Sequence, residues 1–594
     1  MSAAIPPHLG GQFQRIADEQ RRGAGRAEDD EDGREQSGDA QGAAKGKSKE
    51  SQATKLVDLG RRTPLFHDTE GNAYASVPVD DHYETWRLRS GGFRTWLSRQ
   101  YWQMEGAIPR AGAIQDALTA LEGLARFDAP ELPVHLRHAH VDGALYIDLG
   151  DARWRAIEVT AAGWRVLDDP PVKFRRPRGT LALPEPVRDR SHGVEWLREF
   201  LNIRDEDAWR LIVGFLLGCY AKGPYPVLVL NGEQGSAKST AGRVLRALVD
   251  PARTPDRSAP RDERDLIIAA NNGHVVAFDN LSGLRDWQSD GLARLATGAG
   301  FGTRELYTDA EETLFWAAKP IILNGITDLA VRSDLLDRSL LITLPRIPDD
   351  RRQTEERFWA TFQAAAPAIL AALLDAVSAS LGGHRRVTLR RLPRMADFAV
   401  WVIAAERAIG WSDGSFLAAY TRNRASGHEL ALESASIVPP LLRLPVEWSG
   451  TAGELLEQLL PLVGEKVIKR EDWPANPRAL SGQLRRLAPD LRSIGVEVTF
   501  PTRTGQRRPI TITRAEDGGG RPSSASPPSP GTASDRARND GRDGDDGPVR
   551  QYSSPSTDPG PDPELPANDD GWPDGGPSYT WEAFDMPPGA EPAA

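Results

Sequence analysis

Residues 228–240 read Leu-Val-Leu-Asn-Gly-Glu-Gln-Gly-Ser-Ala-Lys-Ser-Thr, an apolar run, a glycine turn and a helix start in direct succession. That order suits phosphate binding. Gly232 and Gly235 stand where a tight turn must bring backbone N–H groups onto phosphate oxygens, with Glu233, Gln234 and Ser236 completing the loop. Lys238 supplies a mobile cation, Ser239 a hydroxyl for Mg2+, and Thr240 opens a helix predicted over 240–248 whose positive end faces the phosphates. Ala237 departs from the pattern G-x-x-x-x-G-K-[ST], because its methyl group stands where a second glycine is expected. The expected ligand is ATP with Mg2+, held by residues 232–240.

Further along, the apolar run 274–278 leads into Asp279 and Asn280, the arrangement of a second core strand that ends in a carboxylate organising Mg2+ through water. Asn280 stands where a hydrolase needs an acid to polarise water. Either Glu233 or one of Glu305, Glu311 and Glu312 takes that role, or hydrolysis is slow. A third apolar strand, 319–323, ends in Asn324, an amide placed to sense the γ-phosphate and orient water. Before a fourth strand comes Arg338, a candidate for reaching a neighbouring subunit's nucleotide, with Arg332 as its competitor and an ion pair to Asp334 or Asp337 as the alternative use of its charge.

The elements that must position these groups are an alternation of strands and helices over 227–344, which predicts a three-layer α/β core with a largely parallel sheet. Helical segments at 193–201 and 207–220 lead into it, giving a core unit over 191–350. Ahead of it, 56–190 reads as a small α+β domain: strands at 65–66 and 73–79, helices at 93–101 and 114–127, then a meander at 144–149, 154–160 and 163–167. A basic segment, 173–178, sets cations beside Phe174 and suits either a phosphate backbone or a solvated linker. Behind the core, 351–425 turns helical, as a lid or bundle would, at 352–381 and 395–408. A loop of mixed composition follows to about 449, with 426–450 as linker.

Residues 451–514 predict helices at 452–460 and 477–487, then strands at 495–500 and 510–513 joined by a basic turn. Such a unit resembles a winged helix, which would present Ser481, Gln483, Arg485 and Arg486 on one helix and Arg503, Arg507 and Arg508 on the wing, all facing DNA or a protein. The leader 1–55 and the tail 515–594 are polar and read as disordered. The tail carries 16 acidic against 5 basic residues, the whole of the net charge of −11, so the remainder is formally neutral. Its aromatic stretch 579–585 offers a docking motif for replication partners. One cysteine, Cys219, excludes an internal disulfide, and neither a signal peptide nor an unbroken apolar stretch of spanning length is evident, so a cytoplasmic protein without a membrane anchor is expected.

The loop, the carboxylate strand, Asn324 and Arg338, with 298–307 (Gly-Ala-Gly-Phe-Gly-Thr-Arg-Glu-Leu-Tyr) between the second and third, resemble the superfamily 3 helicases of the AAA+ class. The likeness covers about 227–344 and is greater to primase-helicase proteins of phages and mobile elements. It implies an AAA+-like P-loop NTPase, a homo-oligomeric ring, usually a hexamer, and ATP-driven movement along one DNA strand. The family's channel hairpin falls at 304–312, where Arg304 is the one basic residue among Glu305, Asp309, Glu311 and Glu312. No cluster of acids with a histidine in 56–190 suits a two-metal primase site. Two other readings remain open: an ATP-controlled DNA switch without unwinding, and a degenerate scaffold that the alanine at 237 permits.

Overall fold

The computed structural model describes residues 50–189, 191–304, 312–325, 332–470, 472–500 and 509–514. Residues 1–49 and 515–594, with Glu305, Glu311, Arg503, Arg507 and Arg508, lie outside the described residues.

Helix α1 (Gln52–Gly60), strands β1 (Leu65–His67), β2 (Ala73–Val79) and β3 (His82–Arg87), and helices α2 (Gly91–Glu105) and α3 (Ala111–Phe127) form the first unit. Its strands pair antiparallel in the order β1-β2-β3. Both long helices run beyond their expected ends. Helix α2 starts where the Ser90 hydroxyl accepts from the Phe93 N–H at 3.2 Å and stops at Gly106, which takes a left-handed φ of 64°. Leu56, Phe93, Leu97, Leu118 and Leu121 bury at helical spacing against Ala75 and Val77.

A short parallel pair, β4 (Val134–His135) with β9 (Lys173–Phe174), brackets an antiparallel meander of β5 (His138–Val141), β6 (Ala144–Asp148), β7 (Ala156–Thr160) and β8 (Gly163–Leu167). Leu145, Ile147, Ile157 and Val159 of the meander belong to the same core as the helices that follow, while Ala139, Tyr146 and Phe174 lie in a small cluster of their own, so residues 56–190 divide among three clusters rather than forming one. At this seam Arg137, 2% exposed, donates through Nε to Asp250 Oδ1 at 3.1 Å and through its terminal nitrogens to the carbonyls of Asp148, Leu181 and Pro251.

Histidines also fill the seam. The rings of His138 and His274 lie 4.0 Å apart. Burial lowers the pKa of His140 and His274 to about 4 and takes His138 well below its ordinary value. These imidazoles are neutral in the fold and bind protons more readily in the unfolded chain. Their contribution is therefore complete above pH 6.5 and is lost as pH falls toward about 4. The urea midpoint is expected to drop steadily between pH 7 and pH 5, and to drop less after His274→Gln; a midpoint flat over that range would contradict it.

The central α/β core opens with a 3-10 segment, Val194–Phe200, and α4 (Glu206–Cys219). Strands β10 (Val227–Asn231), β11 (Val276–Leu281), β14 (Ile321–Gly325) and β15 (Ser339–Thr343) make a parallel sheet in the order β11-β14-β10-β15. Helices α5 (Lys238–Val249), α6 (Glu263–Asn271), α7 (Asp286–Thr297) and α8 (Ser333–Leu336) lie between them, as does an antiparallel hairpin of β12 (Ala299–Arg304) and β13 (Glu312–Ala317). Alternation along β10 shows why there are three layers. Leu228 and Leu230 enter one core with α4 and α5, whereas Val227 and Val229 enter the other with α6 and α7. Both sheet edges are covered: Arg257 bonds to Ala277 and Asp279 along β11, and the Asn423 amide exchanges hydrogen bonds of 2.9 and 2.6 Å with the backbone of Leu341 on β15.

Helix α9 (Glu355–Gly383) is the one described helix long and apolar enough to cross a membrane, where the sequence reading found no unbroken apolar stretch of spanning length. Its apolar residues, among them Phe362, Ile369, Leu373 and Val377, are buried in the core shared with α4 and the meander. Helix α10 (Ala396–Ile403) packs beside it. The stretch expected to be a loop, and the linker at 426–450, instead hold α11 (Ser415–Ser434) and α12 (Val438–Leu441). Helix α11 buries Phe416, Ala419 and Tyr420 in the main core, and polar contacts add to them: Asn423 to β15, Arg422 to Asp207 and Arg424 to Asp337.

The last unit comprises β16 (Glu447–Gly450), α13 (Ala452–Leu459), α14 (Glu465–Ile468), α15 (Pro477–Ser493), β17 (Val496–Thr499) and β18 (Ile510–Arg514), with antiparallel strand order β16-β18-β17. Trp448, Leu455, Leu480, Leu484 and Ile512 form its core. His428 of α11 bonds through Nδ1 to the fully buried Asp490 of α15 at 2.5 Å, tying this unit to the sheet's neighbour helix.

Candidate nucleotide-binding site

The site lies at the C-terminal end of β10, β11 and β14. Gly232 leaves β10 with φ 149°, and a Cβ there would stand 2.5 Å from the Leu344 carbonyl oxygen, so any side chain clashes with β15's exit. The loop is braced from outside its own sequence. Ile347 N–H donates to the Gly235 carbonyl at 3.2 Å, and Asn202 Nδ2 donates to the carbonyls of Ser236 and Pro345.

Ala237 takes a left-handed conformation, φ 62° and ψ 33°, directly before α5. This is why the common pattern has glycine there: a Cβ in that region costs on the order of 1 kcal/mol. Ala237→Gly is expected to raise the stability of the core by up to about 1 kcal/mol and Ala237→Val to lower it, read from denaturation midpoints. Equal midpoints for all three would show that the loop carries no such strain.

Lys238 folds back over the loop, its Nζ donating to the carbonyls of Gly232 at 2.6 Å and Glu233 at 2.8 Å and to Ser236 Oγ at 3.3 Å. Burial pulls its pKa below the usual lysine value, and Asp279 opposes that. Ser239 Oγ stands 3.2 Å from Asp279 Oδ1, and Asn324 Nδ2 donates to the same hydroxyl at 3.4 Å. Asn280 has a left-handed φ of 56°, and its N–H donates to Asp279 Oδ1 at 2.7 Å and Asn324 Oδ1 at 3.1 Å. Four residues singled out from sequence, Ser239, Asp279, Asn280 and Asn324, thus converge in one hydrogen-bonded cluster, and Lys238 lies over the adjoining loop. The adjoining hydroxyl and carboxylate are hard oxygen donors of the kind Mg2+ takes.

Arg338 does not join them. Its carbonyl accepts from Val227 N–H at 2.9 Å, at the start of β10 and the opposite end of the sheet from the loop. It therefore stands apart from its own chain's loop. Its guanidinium donates to the Asp334 carbonyl, while Asp334 and Asp337 give their carboxylates to Arg332 and Arg424. Burial, then the nearby Arg394, lowers the Arg338 pKa. The competing Arg332 is tied to Asp286 at 3.1 Å and Asp290 at 2.8 Å.

Arg304 and Glu312 face each other at the open end of the β12–β13 pair. On α15, Arg485 lies over the Phe500 ring at 4.1 Å, Arg486 is exposed, and Gln483 donates to the Asp472 carbonyl rather than standing free. Sequence reading missed Asn202 and Arg352. The latter has a guanidinium nitrogen 3.4 Å from the Cβ position of Gly235, bringing a second cation beside the loop. No local pattern marks either residue, because their proximity to the loop arises only when β15's exit folds across it.

Residues 194–430 match the family model described as the actinomycete integrative conjugative element replication protein, and residues 435–529 match that of the AICE RepA C-terminal domain. Over these two regions the chain is similar to replication proteins of mobile elements. Among curated proteins none matches. Of solved structures, one titled "SCCmec type IV Cch - active helicase" is 12% identical with a TM-score of 0.41, covering 76% of this chain and 92% of that one. Another, the apo structure of the NrS-1 C-terminal region, is 11% identical with a TM-score of 0.34, covering 78% of this chain and 98% of the other.

Proposed function

We propose that this protein is a cytoplasmic ATP-hydrolysing DNA helicase or translocase of a mobile-element replication system, working as a ring of copies. The observation that carries the reading is the cluster of Lys238, Ser239, Asp279 and Asn324 around one loop at the sheet's C-terminal end. The two matches to replication-protein families support the setting. In this reading the N–H groups of 232–237 and Lys238 hold the phosphates of ATP, and Ser239 with Asp279 holds Mg2+. The metal would neutralise charge on the β- and γ-phosphates. Asn324 orients the attacking water beside the γ-phosphate, and Arg338 of one copy completes the site of the next.

Read as a winged helix, the last unit would bind DNA through α15 and the basic turn. Steady-state ATP hydrolysis by the full chain, with and without single-stranded DNA, and strand separation on a forked duplex test the proposal together. DNA-stimulated hydrolysis with unwinding that needs hydrolysable ATP is expected.

Asn280 favours a second reading, an ATP-controlled DNA switch. It puts an amide where an acid would polarise water, and its backbone is already committed to Asp279 and Asn324. Nucleotide binding with slow hydrolysis indifferent to DNA, and no strand separation, would select the switch.

A further inference from the structure

Helix α2 turns Phe93, Leu97 and Tyr101 into the first unit's core. At 100° per residue the opposite face is centred between Thr95 and Arg99, with Trp102 about 40° from that centre and Arg94 about 80° further round on the same side. Trp102 is 53% exposed, and both arginines are exposed. Neither guanidinium has a carboxylate within ion-pair distance among the described residues, where 4.0 Å is the limit. The helix's one acid, Glu105, is neutralised by Lys55 at 2.8 Å.

A second basic element arrives at the same helix. In the segment 173–178, Arg175 donates to the Asn271 carbonyl and Arg176 pairs with Asp148 at 2.6 Å, so those two are spent inside the fold. Arg178 is left exposed, with a terminal nitrogen 4.0 Å from the Cβ position of Gly91 at the start of α2. From Gly91 to Trp102 the helix rises about 16 Å, so the strip runs from Arg178 at one end, past Arg94 and Arg99, to a large exposed indole at the other. Cations match a phosphate backbone, and an exposed indole stacks on an unpaired base of any identity.

We propose that the solvent side of α2, with Trp102 toward its C-terminal end and Arg99, Arg94 and Arg178 spaced along it toward its start, binds single-stranded nucleic acid. The site lies outside the nucleotide core and outside the two family-matched regions, and it rests on the proposed action on DNA. Its role is to hold the strand by stacking and charge without reading sequence.

Binding of a fluorescent oligothymidylate by the full chain, followed by anisotropy over a salt series, tests the assignment. Trp102→Ala is expected to weaken binding about tenfold and Trp102→Phe much less. Arg94→Ala with Arg99→Ala should weaken it and reduce the slope of log affinity against log salt by about 0.7 per arginine. Duplex DNA, whose bases are stacked on each other, should compete poorly. All four residues are exposed, so these variants keep the core, and DNA-free ATP hydrolysis serves as the control.

Unchanged affinity and salt slope in both the tryptophan and the double arginine variants would overturn the proposal and leave this face, with Met104 and Ile108 beyond it, to a protein partner. Equal competition by duplex would overturn the single-strand assignment. Lys238→Ala separates the two readings: hydrolysis that survives it defeats the assigned ATP site, whereas binding through α2 is unaffected either way.

Discussion

Replacing Lys238 by alanine is expected to lower ATP turnover roughly a hundredfold or more, with a much smaller effect on folding. The side chain reaches three acceptors, all within residues 232–236, and none of them belongs to the core beneath the loop. Its contacts are therefore local, and an incoming phosphate competes for the same ammonium by a short swing of a flexible stem. Charge that builds on the transferring phosphoryl group loses its mobile counter-charge in the variant, and the backbone N–H groups of the loop remain. Turnover should fall far more than nucleotide affinity, which a phosphate-release assay and a fluorescent-nucleotide titration read separately. Turnover within about twofold of the parent would remove this loop from the chemistry. Asp279→Asn should follow Lys238→Ala in turnover, because it takes the carboxylate from Ser239 without changing shape.

The largest effect on stability is expected at Asp250, just beyond the C-terminal end of α5. Its carboxylate accepts from Arg137 Nε at 3.1 Å and from the N–H groups of His274 at 2.8 Å and Val275 at 3.0 Å, and Arg246 lies 3.6 Å away. Burial opposes ionisation here, yet Arg137 and Arg246 hold the pKa down to about 2. Asp250→Ala strands two guanidinia that are 2% and 3% exposed and orphans two backbone donors. Breaking a buried pair in this way costs on the order of 3–5 kcal/mol. Asp250→Asn keeps one acceptor and should cost less. Thermal unfolding of the three proteins should rank them in that order, and a loss below about 1 kcal/mol for Asp250→Ala would show that the seam is held by apolar packing instead. Because Arg137 belongs to the meander and Asp250 follows the helix that begins at Lys238, this contact also fixes the far end of the phosphate-loop helix.

The parts of the site that were legible in the sequence are those whose chemistry is local. Gly232, Lys238 and Ser239 sit within one turn and one helix start, and Asp279 and Asn324 each end an apolar run, so strand ends alone bring them together. Ala237 was legible as a departure, and its left-handed backbone shows what the departure means. Nothing in the sequence placed Arg338 at the other end of the sheet, since that depends on β15 running parallel to β10 with Arg338 beside Val227. Helix α11 escaped because its apolar patches, Phe416 to Tyr420 and Ala431 to Leu432, are separated by a polar stretch whose Asn423, Arg424 and His428 make contacts across long separations that periodicity does not detect. The meander's place in the nucleotide core was equally hidden: Leu145 and Ile157 alternate as any half-buried strand would, and alternation does not say which core receives them.

The Asn423 amide lies along β15 as a neighbouring strand's peptide group would, giving one acceptor and one donor to Leu341. At the other margin Arg257 does the same for β11 with its own backbone. The sheet is therefore a finite ribbon, with its margins occupied at those points by its own chain, and a strand from another molecule finds no free N–H or C=O there to continue it. Copies of this protein at high local concentration are thereby steered away from strand exchange at those points and toward contacts between side chains, which can be made and released.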